Sequence, residues 1–131
     1  MNYTLLIYEN AAGFALRDHP DESKRRAYWS AWPAYVQALR AAGALVDGAG
    51  LEPPHTAVTL RPRDGAPQQV QDGPFADTKE QLGGYFIIDV PDLDAALEWA
   101  ARVPAAPGSV IEVRPNLKPA AAEAAAAGAQ P

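Results

Sequence analysis

The sequence predicts an α+β fold: an antiparallel sheet of four strands with two helices on one face. Three observations carry this expectation. Aromatic and β-branched runs at 3–8, 85–90 and 109–113 have the composition of strands. Apolar residues at helical spacing mark 21–42 and 92–102 as helices. Strand and helix signals alternate along the chain, interrupted by one turn-rich excursion.

Taken in order, the first strand covers 3–8 and a loop is expected over 9–20, which holds Gly13, Asp18, His19 and Pro20. Asp21 can cap the first helix, whose apolar positions are Tyr28, Trp32, Tyr35, Val36 and Leu39. Pro33 lies inside it and removes a backbone donor, so a kink or restart is expected there. Gly43 supplies the stop. Residues 44–51 form a second strand, broken by Pro53-Pro54. Thr56 to Arg61 alternates in polarity as a strand does, and Asp64-Gly65 offers a hairpin turn that tolerates positive φ. The return strand, 68–71, is short and polar, as an edge or projecting ribbon would be.

The segment 71–81 is rich in turn residues. Asp77 with Glu80 resembles a capping box, so a single helical turn is expected there. Gly83-Gly84 points to close backbone approach, and 85–90 is apolar enough for a central strand. Pro91-Asp92 opens the second helix, with Leu93, Ala96, Leu97 and Ala100 on its apolar face; Pro104 and Pro107-Gly108 end it. With the hairpin counted as an insertion, the order is βαββαβ, the ferredoxin-like arrangement. Its second sheet face needs cover, which a second copy of the chain would provide; a homodimer is therefore expected. Residues 1–115 make one domain. Residues 116–131 read as an alanine- and proline-rich tail, expected to be disordered because a short isolated helix is marginal in water.

Composition narrows the function classes. Of 131 residues, 48% are hydrophobic and 21% charged, ordinary values for a globular domain. The absence of cysteine removes disulfides, thiolate metal sites and cysteine nucleophiles. Two histidines without clustered carboxylates argue against a metal site. No Walker or dinucleotide fingerprint is present, so no cofactor is expected. A net charge of −5 argues against nucleic acid as a partner. The N-terminus reads as a strand, not a leader, and no apolar run approaches the roughly 18 residues of a membrane span. The cytoplasm is the expected location, with no membrane partner.

The stretch from Gln71 to Asp94, QDGPFADTKEQLGGYFIIDVPDLD, resembles the YCII-related family, in particular its DGPF branch. Gly43 through Pro54 (GALVDGAGLEPP), Trp99 through Arg102 and Glu112 through Pro115 extend the resemblance to about residues 3–115. It implies a dimeric α+β barrel of ferredoxin-like protomers. Many members of the branch are encoded beside extracytoplasmic-function sigma factors. Other relatives carry a His–Asp pair in a cleft, the His on the first helix and the Asp before the penultimate strand. By resemblance Asp72 holds the second position, while the first falls at Trp32, which departs from the pattern.

The residues themselves admit two readings each. Asp72 before Gly73-Pro74 can form an Asx-turn, or it can be a general base in a part-apolar cleft. His55 is a candidate proton carrier and otherwise a surface residue; His19 is a weaker candidate. Lys79 is either a solvated turn residue or a contact for an anionic ligand. Tyr28, Trp29, Trp32, Tyr35 and Phe75 serve as core or as pocket walls. The expected ligand site lies between the first helix and the sheet, walled by Trp32 and Tyr28, with the Asp72–Phe75 loop closing over it. Two functions remain open at this point. One is a small-molecule enzyme or binder using that cleft. The other is a regulatory or interaction protein without chemistry, linked to sigma-factor signalling.

Overall fold

The structure, a computed structural model, describes residues 1–62, 64–65 and 67–128. Its elements are β1 (Asn2–Glu9), α1 (Ala11–Ala15), α2 (Glu22–Ala41), β2 (Leu45–Gly50), β3 (Val58–Arg61), β4 (Gln69–Asp72), β5 (Gln81–Asp89), α3 (Leu93–Ala101), β6 (Val110–Pro115) and α4 (Pro119–Gly128). The main sheet has four antiparallel strands in the order β2-β5-β1-β6, and β3 and β4 pair as a separate two-stranded ribbon. This is the ferredoxin-like βαββαβ topology with an inserted hairpin.

Alternation along the central strands decides what is buried. Tyr3, Leu5 and Ile7 on β1 and Ile88 on β5 point to one face and are buried. There Tyr3, Leu5 and Ile88 meet Tyr35 and Leu39 of α2 and Ala96 and Ala100 of α3. Both helices therefore cover the same face. The Tyr35 hydroxyl donates to Trp99 O at 2.8 Å and ties α2 to α3. Fully burying a residue such as Leu39 stabilises the fold by about 1.5–3 kcal/mol.

The helix ends follow their sequence signals. The Asp21 carboxylate accepts from Ser23 N and Lys24 N, and the Asp92 carboxylate from Ala95 N. At the other end of α2, Ala44 N donates to Leu39 O at 2.9 Å and Gly43 N to Arg40 O at 3.0 Å. That paired closure needs a left-handed residue after the cap, and Gly43 has φ 67°.

Several expectations are corrected. α2 does not restart at Pro33 but runs unbroken from Glu22 to Ala41. The expected loop 9–20 contains α1, which begins where the Asn10 side chain accepts from Gly13 N at 2.8 Å. Thr56 belongs to a 3-10 turn, Pro54–Thr56, so β3 begins only at Val58. No helical turn forms at 77–80. Instead the Gln81 side chain donates to Ala76 O and Thr78 O, and the Thr78 hydroxyl to Glu80 O. Of the expected hairpin turn, Gly65 has φ 65°; the flanking Arg63 and Ala66 lie outside the described residues. The tail is not structureless throughout. Pro119–Gly128 is helical, as a run of alanine, the best helix former, permits. Residues 129–131 of that tail lie outside the described residues.

Candidate functional site

The end of β1 carries an unusual residue for its environment. Glu9 continues the buried alternation of Tyr3, Leu5 and Ile7 and is only 1% exposed. A carboxylate taken out of water needs partners, or its burial is costly. Tyr28 on α2 donates its hydroxyl to Glu9 Oε1 at 2.8 Å. Arg17, in the connection between α1 and α2, lies 3.5 Å from the same oxygen through Nη2 and donates from Nε to the Tyr28 hydroxyl at 3.3 Å. The result is a directed chain, Arg17 to Tyr28 to Glu9. Burial first of all, then the bond to Glu9, push the Tyr28 hydroxyl up to about 12 from its ordinary 10.0, against a smaller lowering by Arg17. Tyr28 is thus a neutral donor throughout the physiological range.

Arg17 does more than face Glu9. It donates through Nη1 to Leu51 O and through Nη2 to Gly83 O at 3.0 Å. Its guanidinium also stands over the rings of Phe14 and Trp29, at 4.9 and 5.9 Å from their centroids. The glycine pair in β5 makes room for this. The register of β1 on β5 passes from Ile7–Gly84 to Tyr8–Leu82, which leaves Gly83 as an extra residue in β5. A Cβ on Gly83 would lie 3.1 Å from Arg17 Nη2 and 3.3 Å from Glu9 Oε1; one on Gly84 would lie 2.9 Å from Ala49 O. The sequence reading of close backbone approach describes both positions.

Above this cluster lies a cavity of about 390 Å³ between α2 and the β2–β5 edge of the sheet. Tyr28, Trp29, Trp32 and Phe86 supply aromatic walls, Glu9 and Arg17 the polar end, and Glu52 a further carboxylate. Trp32 stacks on Phe86 with rings 24° apart and centroids 6.5 Å apart. Among the described residues, the buried side-chain atoms without a hydrogen-bond partner are Glu9 Oε2, Trp32 Nε1 and Ser109 Oγ. Glu9 and Trp32 both line this cavity.

Among the residues singled out from sequence, Trp32 and Tyr28 stand in this cavity. The loop does not join them. Asp72 ends β4, opposite Val58 on the ribbon, and is exposed. Among the described residues no amide bonds its carboxylate; Gly73 N donates instead to Ala57 O at 2.7 Å, so the expected Asx-turn does not form. Gly73 has φ 94° and turns the chain, and Pro74 follows it half-buried. Phe75 is 71% exposed, with Arg61 over its ring, and does not roof the cavity. The ribbon's separation from the main sheet carries Asp72 away from Trp32 within one chain. His55 and Lys79 meet elsewhere, in a shallow hollow of about 430 Å³ that also involves Asp18, Phe14 and Gln81. Among the described residues no cluster of His, Asp and Glu has the makings of a metal site.

Sequence reasoning missed Glu9 and Arg17. The period-two pattern of β1 placed Glu9 on the inward face and was the available signal.

An α+β domain of ferredoxin-like topology with a buried carboxylate at the end of its first strand is the class these features define. Residues 1–118 match the family model of the YCII-related domain, and the chain belongs to that family. It is 39% identical over 118 residues to an uncharacterized protein of Rhizobium meliloti (strain 1021), over 88% of this chain and 91% of the relative.

Proposed function

We propose that the protein binds a small molecule in the cavity between Glu9 and Trp32. The observation that carries this reading is the combination of aromatic walls with a buried carboxylate that has spare acceptor capacity. Ligand sites combine apolar walls with a few placed polar groups, and few other surfaces do. Binding is the reading the geometry supports. A thermal-shift screen against a metabolite library tests it. A ligand at 100 times its dissociation constant adds about 2.7 kcal/mol of stability. A hit that stabilises Trp32→Ala equally well locates binding elsewhere, and a screen without hits removes the reading.

The proposal places the protein in the DGPF branch, on the motif Asp72 to Phe75, and in the cytoplasm. It also makes the protein a homodimer. Thr4, Leu6 and Tyr8 on β1, with Tyr85 and Ile87 on β5, point to the sheet face opposite the helices. That face is apolar enough to favour a second sheet as its cover. Sedimentation should give about 28 kDa, twice the 13.9 kDa chain. A monomer at micromolar concentration removes the dimer.

A second reading, an interaction protein linked to sigma-factor signalling, is favoured by the ribbon. Val58, Leu60 and Val70 share one of its faces and are exposed. Binding of the purified cognate sigma factor, weakened by Val58→Ser with Leu60→Ser, would support that reading; unchanged binding or none would remove it.

A further inference from the structure

We infer that Gly50 sets the depth of the Glu9–Trp32 cavity, and that the cavity takes a ligand with a flat apolar body lying against the bare backbone there. The inference rests on the proposal that this cavity is the binding site, and names its ligand class and a residue that selects it.

Strand register identifies the cavity floor. Residues directly opposite each other in antiparallel strands turn their side chains to the same face. Leu5, Phe86 and Gly48 form one such row across β1, β5 and β2, and Ile7, Gly84 and Gly50 form the next. Leu5 packs with Tyr35 and Leu39 of α2, and Ile7 follows it on the same face of β1, so both rows face the helices. From Ile7 outward to the sheet edge, the second row carries no side chain. Gly48, Gly50 and Gly84 all line the cavity.

Two of these glycines have a local reason. A Cβ on Gly48 would lie 2.6 Å from Phe86 Cδ1, and one on Gly84 would lie 2.9 Å from Ala49 O. Gly50 has neither a steric nor a conformational reason. Its φ is not positive, and among the described residues no heavy atom comes within 4 Å of the place its Cβ would take. That open place is on the helix-facing side, where the cavity lies. Glycine weakens a strand, because it loses more freedom on folding and packs nothing. A strand glycine that the protein's own atoms do not require marks backbone that a ligand approaches closely. The opposite wall decides the shape. Trp29 and Trp32 of α2 supply it, and the Trp32 ring lies 24° from parallel to that of Phe86. A flat body covers bare backbone with one side and meets ring faces with the other. A globular body of the same carbon count presents less area to either wall.

Two neutral alcohols of equal carbon count test this on the full chain, flat 2-naphthol and globular 1-adamantanol. Binding is read from the indole N–H resonances of the three tryptophans, assigned by their loss in Trp29→Phe and Trp32→Phe. Trp99, which packs on Tyr35 and Arg102, is the internal control. 2-Naphthol should shift Trp29 and Trp32 saturably, leave Trp99 in place, and bind several-fold more tightly than 1-adamantanol. Gly50→Val should melt at or above the wild-type midpoint and weaken 2-naphthol by about tenfold or more, because its side chain overfills the occupied floor. Gly50→Ala should do the same to a smaller degree, and it carries the test if Gly50→Val does not fold. Unchanged 2-naphthol binding in a folded Gly50 variant overturns the inference and leaves the cavity as a site. A lowered midpoint in Gly50→Ala does so too, since the glycine is then needed by the fold. Equal or tighter binding of 1-adamantanol at the same resonances overturns the ligand class alone. Failure of both alcohols to shift Trp29 or Trp32 at millimolar concentration removes the cavity as a binding site, and the inference with it.

Discussion

The helix-covered face of the main sheet and the β3–β4 ribbon are built from the same sequence pattern and end in opposite states. On the sheet, alternate residues of β1 and β5 meet α2 and α3, and Leu5, Leu39 and Ile88 are sealed from solvent. On the ribbon, Val58, Leu60 and Val70 also alternate with polar residues, yet Val58 is 64% and Val70 62% exposed. Period-two alternation fixes which residues share a face; it says nothing about whether anything covers that face. A two-stranded ribbon is marginal by itself. Its apolar face therefore contributes little to the stability of the chain and is open to an external contact.

The contrast can be broken by mutation, and the largest effect belongs to the covered face. Leu39→Ala should cost about 3–4 kcal/mol in urea unfolding, because the removed atoms leave a cavity under α2. A loss below about 1 kcal/mol would mean that the helix layer packs no better than the ribbon.

Alkaline pH should expose the same layer next. The hydroxyls of Tyr28 and Tyr35 are pushed up to about 12 from 10.0, first of all by burial. Below pH 10 both are protonated in the folded and unfolded chain, and their contribution is intact. Between about pH 10 and 12 the unfolded chain ionises first, so stability falls by on the order of 2–3 kcal/mol for each tyrosine. Tyr35→Phe and Tyr28→Phe should each flatten that fall. An unchanged slope in both would show that these hydroxyls titrate normally.

Glu9→Gln should cost about 2 kcal/mol, because it leaves the largely buried Arg17 without its counter-charge. A neutral or stabilising result, measured by thermal unfolding, would mark the carboxylate as a functional expense of the fold.

The ribbon should give the smallest effects. Val70→Ser and Asp72→Asn should each stay within about 0.5 kcal/mol at concentrations where the chain is monomeric. A larger, concentration-dependent loss for Val70→Ser would sharpen the comparison by showing that a second copy covers the ribbon.

Much of the fold was legible because its signals are local. Helix caps at Asp21 and Asp92, the stop at Gly43 and the apolar strands need only neighbours in sequence to be read. The site was less legible because it is assembled from afar. Tyr28 meets Glu9 across 19 positions, and Arg17 meets Gly83 across 66. The sequence drew attention to Asp72–Phe75, whose turn residues are conspicuous, whereas Glu9 resembles an ordinary strand end. Trp32 and Tyr28 were found because helical spacing turned them toward the sheet. The capping-box reading of Asp77 and Glu80 failed for a related reason. The Gln81 side chain takes two backbone carbonyls there, Ala76 O and Thr78 O, and a competing local bond of that kind leaves no mark in the pattern.

Arg17 bonds Leu51 O and Gly83 O, and Leu51 N donates to that same Gly83 oxygen at 2.9 Å. The segment after β2 and the bulged start of β5 are thereby stitched at one point on the cavity rim. Traffic across that rim requires the stitch to part as a unit, since the planar guanidinium holds its carbonyls together in one fixed fork. If the cavity binds a small molecule as proposed, Arg17 would govern how long the occupant stays, while the aromatic walls would act on which occupant is held.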